Sequence, residues 1–121
     1  MIRAVRLLLL SEAAAFIVAA LVHFGVLVNG YQHLKAGTAE TVIGVALLVG
    51  IIVSWAHPRS SRQAALAAQG FALLGTLVGI FTIAVGVGPR TAPDIAFHIA
   101  IVLCLLSGLV MAGRSRIEQS A

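Results

Sequence analysis

The feature that most constrains this chain is a set of four apolar runs, each close to membrane length, separated by three short polar breaks. They cover about residues 7–29, 39–56, 64–87 and 94–112. At 1.5 Å per residue the first would make a helix roughly 33 Å long, enough to cross the hydrocarbon core of a bilayer. Hydrophobic residues make up 60% of the 121 residues and charged residues 10%, against about a quarter charged in ordinary soluble domains. Too few charges exist to cover a water-facing surface. The composition also excludes a disordered chain and a disulfide scaffold, since Cys104 is the single cysteine. Cys104 reads as a small buried hydrophobe in the last run rather than a reactive thiol.

The expected architecture is all-α: one transmembrane domain over residues 1–121, built as a four-helix bundle in a polytopic membrane protein. Glu12 interrupts the first run too early for a signal peptide, and the run continues to Val28, so it reads as a retained helix. Thr38 is the expected N-cap of the second helix, with Glu40 in its first turn. Pro58 stops that helix, and Gly86, Gly88 and Pro89 end the third. Thr91 and Asp94 form a capping-box variant at the start of the fourth. The chain would close with a polar tail from Arg114 to Ala121.

Four spans place both termini on one side. Arg3, Arg6, Arg59, Arg62, Arg114 and Arg116 fall on that side, and Lys35 and Arg90 on the other. The positive-inside rule then makes both termini cytoplasmic, in a bacterial inner (plasma) membrane. The net charge of +4 therefore reads as a topology signal and not as a nucleic-acid surface. The expected partners are the lipid bilayer and other membrane subunits or a second copy of the chain. The glycines within the runs, including the Gly75 and Gly79 GxxxG pair, suit close helix packing. A loose two-plus-two repeat is also visible, in which a shift of 57 lays Glu12 on Gln69 and Phe24 on Phe81.

Polar residues inside a span are costly, so each needs a reason. Glu12 and Gln69 come at similar depth near the inner face. They read as a hydrogen-bonded pair or, alternatively, Glu12 reads as the coupling carboxylate of a small proton-coupled transporter. In the outer half His23 and His98 come at similar depth, and Asp94 and His98 share a helix face at i, i+4. Three readings are open for this group. The histidines form interhelical hydrogen bonds; or they are axial ligands of haem b, with Asp94 orienting His98; or His23, Glu40, Asp94 and His98 hold a metal ion or a quinone head group. Tyr31, His33 and His57 read as interfacial. No catalytic triad, no nucleophile paired with a base and no pair of metal-ligating cysteines is present, so no catalytic residue is assigned and the chain leans away from an enzyme of its own.

The Tyr31-Gln32-His33-Leu34-Lys35 segment and the run from Ala39 to Gly50, set in four short helices after an Arg-containing start, resemble the DoxX-type small bacterial membrane proteins. The chain also resembles uncharacterised integral membrane proteins of similar size. The resemblance implies a small membrane subunit or partner of a redox or respiratory system; it carries over no functional residue.

Overall fold

The computed structural model describes residues 1–115. Its four long helices are α1 (Ile2–His23), α2 (Leu34–Ala56), α3 (Ser61–Ala84) and α4 (Ala92–Arg114), with a short 3-10 turn at Pro58–Ser60. Each of the four is long and apolar enough to cross a membrane. They pack in ring order, α1 on α2, α2 on α3, α3 on α4, with α4 closing back on α1. Met1, the 57–60 connection and Ser115 share one end, called here the terminal end. The 24–33 and 85–91 connections share the other, called the loop end. Arg116 and the rest of the expected tail lie outside the described residues.

The helices begin and end differently from the apolar runs. α1 stops at His23, six residues before Asn29, although Val26, Leu27 and Val28 are apolar. Gly25 has φ of +76°. Its N–H bonds to the Val22 carbonyl, and that of Val26 to the Leu21 carbonyl. This is a complete Schellman ending, and a glycine suits its left-handed residue. α3 ends in the same way. Gly86 has φ of +85°, and its N–H and that of Val87 bond to the carbonyls of Ile83 and Thr82. Local backbone geometry thus overrides hydropathy at both ends.

α2 starts at Leu34, capped by His33, whose Nδ1 accepts the Ala36 N–H at 3.2 Å. The expected cap, Thr38, lies inside the helix and donates to the Leu34 carbonyl. Glu40 is therefore beyond the first turn, and it is buried. At α4 the Thr91–Asp94 capping box is present in full, with Thr91 at the N-cap and Pro93 in the first turn.

The inward stripe of α1 is Val5, Leu9, Glu12, Phe16, Ala20 and His23, with Ala13 beside it. These steps of three and four residues keep one face inward. Across from it lie Leu47 and Ile51 of α2, Ala65 and Ala72 of α3, and Ile101 and Leu105 of α4. The outward faces are as apolar as the core: Leu7, Val42, Leu74 and Leu103 are exposed, and so is Cys104, against expectation. α4 is apolar all round, so hydropathy gave no sign of which face Cys104 takes.

The terminal end is fastened by Arg6. Its Nε donates to Ser54 Oγ at 2.9 Å and its second terminal nitrogen to the Ser54 carbonyl at 2.6 Å. Ser61 Oγ donates to the same carbonyl at 2.9 Å. A cation thus satisfies the free carbonyl end of α2, where the helix dipole favours positive charge.

Candidate functional site

At the loop end three helices bring one imidazole between two carboxylates. His23, the last residue of α1, sits 2.7 Å through Nδ1 from Glu40 Oε2 of α2 and 2.9 Å through Nε2 from Asp94 Oδ1 of α4. All three side chains are buried. The Schellman ending turns the chain away immediately after His23 and leaves the ring pointing into the bundle.

The two contacts fix how many protons the group holds. A neutral imidazole has one N–H, so hydrogen bonds on both ring nitrogens need two protons among the three groups. Asp94 also takes the Thr91 backbone N–H at 3.1 Å and the Thr91 hydroxyl on Oδ2. The Thr91 N–H can only donate, which suits Asp94 as an acceptor-only carboxylate. Nε2 of His23 therefore donates to Asp94, and the second proton lies on the axis between His23 Nδ1 and Glu40 Oε2. The three groups together carry a net charge of −1.

Glu40 also faces a cavity of about 160 Å³ lined by all four helices. Phe16, Thr76, Gly79, Phe97 and His98 contribute to its wall, and Lys35 and the 87–89 connection complete it at the loop end. Phe16 and Phe97 meet edge to face with centroids 5.7 Å apart, and Phe97 meets the His98 ring in the same way at 5.6 Å. His98 Nδ1 donates to the Asp94 carbonyl at 2.7 Å, so in the neutral ring Nε2 is the lone-pair acceptor. That nitrogen lies against α3 at Gly79, where a Cβ would come within 3.0 Å of it. Neither His98 Nε2 nor Glu40 Oε1 has a hydrogen-bond partner among the described residues. The cavity is thus an apolar, partly aromatic slot with two acceptors on its wall.

His23 and His98 do not form an axial pair. Both His23 ring nitrogens are engaged by carboxylates, so neither is free for an iron, and the 160 Å³ slot suits a single ring rather than a porphyrin. Asp94 meets His98 through its backbone carbonyl, not its carboxylate, which is turned to His23 and Thr91. Among the described residues no group of three or more His, Cys, Asp or Glu is arranged to hold a metal ion.

His33, read from the sequence as interfacial, stands beside the site. Its ring lies 6.3 Å from that of His23, and its Nε2 donates to the Val87 carbonyl at 3.2 Å. It thereby ties the first loop to the second. Histidine is not a favoured N-cap type, so spacing alone did not reveal this role. Phe16, Thr76 and Phe97 look like ordinary span residues until the helices are assembled.

Glu12 and Gln69 do meet, in the other half of the bundle. Gln69 Nε2 donates to Glu12 Oε1 at 3.2 Å and to Oε2 at 3.0 Å. Gly75 and Gly79 both face inward: a Cβ on Gly75 would come within 2.8 Å of Ile43. The GxxxG pair therefore serves packing within this bundle. Comparison of the chain with protein-family models, with curated proteins and with solved structures gives no match.

Proposed function

We propose that this chain is a multi-pass protein of the bacterial inner membrane, with both termini cytoplasmic, that binds a quinone or quinol head group at the loop end and serves as a small subunit or partner of a membrane redox system. The observation that carries this reading is the single-ring slot whose wall holds Glu40 and His98, with Glu40 backed by His23 and Asp94. A cavity near 150 Å³ accommodates one benzene ring, and the slot measures about 160 Å³. Quinol hydroxyls need acceptors, and Glu40 Oε1 and His98 Nε2 are the two on offer. A proton leaving the ring at Glu40 would enter a group that already shares one between Glu40 and His23. The loop end lies on the external face in the orientation set by the arginines, so that proton would leave toward the outside.

Six arginines on the terminal side against Lys35 and Arg90 on the other support the orientation. Apolar residues on the outward face of every helix support burial in lipid and packing against neighbours. The resemblance to DoxX-type proteins agrees with a redox setting. In this role the chain holds the ring and takes its two protons, one at Glu40 and one at His98 Nε2, while the two electrons pass to the partner.

Titration of the purified protein with a short-chain quinol, followed by calorimetry, tests the reading. Glu40→Gln and His98→Ala should each weaken binding about tenfold, as expected for one lost hydrogen bond of roughly 1.4 kcal/mol. Glu12→Gln, in the other half of the bundle, should leave the affinity unchanged. Absence of saturable binding to the unaltered protein would exclude this function.

A further inference from the structure

The ligand site makes no use of the second buried polar cluster. Glu12 is 1% exposed and Gln69 0%. The amide of Gln69 is the sole hydrogen-bond partner of the Glu12 carboxyl among the described residues. Gln69 Oε1 is itself buried with no partner among the described residues. Gly108 of α4 leaves the room for both side chains: a Cβ there would stand 2.9 Å from Glu12 Oε1 and overlap the Gln69 amide. Three helices thus contribute a carboxyl, an amide and a gap.

No described cation reaches the carboxyl. On α1, Arg3 is nine positions away, about 14 Å along the axis, and Arg6 six, about 9 Å, where it is engaged with Ser54 and Ser61. His23 is eleven positions away, about 16 Å, between its own two carboxylates. The ionisable groups of the other helices are Lys35 and Glu40 on α2, Arg62 on α3, and Asp94, His98, Cys104 and Arg114 on α4. None of them hydrogen-bonds or ion-pairs with Glu12. A bare carboxylate held there by one neutral amide would cost far more than that hydrogen bond returns.

We propose that Glu12 and Gln69 form a proton-binding site inside the bundle, with Gly108 as the clearance that lets them meet. With the amide turned so that Oε1 faces the carboxyl, the acid O–H donates to Oε1 and the amide N–H donates to the other carboxyl oxygen. That arrangement gives Gln69 Oε1 its partner. An alkali ion fits less well, because it needs a shell of oxygens in place of its water and these side chains offer three.

Infrared spectroscopy of the unaltered protein in phosphatidylcholine vesicles tests the site. The expected result is a carboxylic-acid C=O band that shifts in D2O, is lost in Glu12→Gln and moves in Gln69→Leu. The same band should be indifferent to replacement of choline chloride by sodium chloride. A hydrophobic carbodiimide should also leave its adduct on Glu12 of the unaltered protein, found by peptide mass, so the test stands even where a variant fails to fold. Absence of both the band and the adduct at every pH would overturn the proposal. Loss of the band on adding sodium would overturn it too, in favour of an alkali-ion site.

Discussion

Replacing His23 by alanine should destabilise the bundle by about 3–5 kcal/mol, the range for removing one partner of a buried charged network. The loss comes less from the ring's packing than from what is left behind. Glu40 and Asp94, both buried, would face each other across the vacated space without the two imidazole hydrogen bonds between them. His23→Gln should recover part of the loss, because its amide can donate to one carboxylate. Glu40→Gln should cost less than His23→Ala, because Asp94 keeps both Thr91 donors and the His23 ring. Unfolding in detergent followed by helical circular dichroism measures all three. A cost below about 1 kcal/mol for His23→Ala would show that the carboxylates do not depend on the imidazole.

The second large effect is expected at Gly50. A Cβ built there comes within 2.6 Å of the Ala68 Cβ, with the Ala64 carbonyl oxygen at 3.5 Å. Neither Cβ can move without moving its helix, so α2 and α3 must separate. Overpacking of this kind costs typically about 1–3 kcal/mol. Gly108→Ala meets the ends of the Gln69 and Glu12 side chains, which can swing aside. It should cost less in stability while breaking the hydrogen bonds between them. Gly70→Ala provides the control. Nothing lies within 4 Å of its Cβ, and exchanging a helical glycine for alanine should be neutral or stabilising by up to about 1 kcal/mol. Equal stabilities for Gly50→Ala and Gly70→Ala would contradict the close approach of α2 and α3.

The four helices were legible because the apolar runs are long and the breaks between them carry Pro, Gly and charge. Their ends were less so. Val26, Leu27 and Val28 extend the first run in hydropathy, while Gly25 ends the helix through backbone geometry. The polar residues of both sites stood out because a polar side chain in an apolar helix needs a reason. Which of them meet was not legible for the loop-end group. With Leu7, Val42 and Leu103 outward and Leu9, Leu47 and Leu105 inward, hydropathy does not report how each helix is rotated. His23 and His98 therefore looked like a pair by depth, whereas rotation places His23 between Glu40 and Asp94. Glu12 and Gln69 were easier, since each is the only strongly polar side chain in mid-run on its helix. The cavity had no signature, because Phe16, Thr76, Gly79 and Phe97 become a slot only when the four helices assemble.

The slot at the loop end is proposed to take a quinol-type ring beside Glu40 and His98, in contact with the proton shared by His23. Nitrogen NMR of the protein labelled at histidine tests it most directly. Before ligand is added, both His23 ring nitrogens should show hydrogen-bonded signals, and His98 should show Nδ1 protonated and Nε2 free. Addition of a short-chain quinol should shift His98 Nε2 and His23 Nδ1 and leave His57, at the terminal end, unmoved. Unchanged His23 and His98 resonances at saturating quinol, or shifts of equal size at His57, would contradict the account.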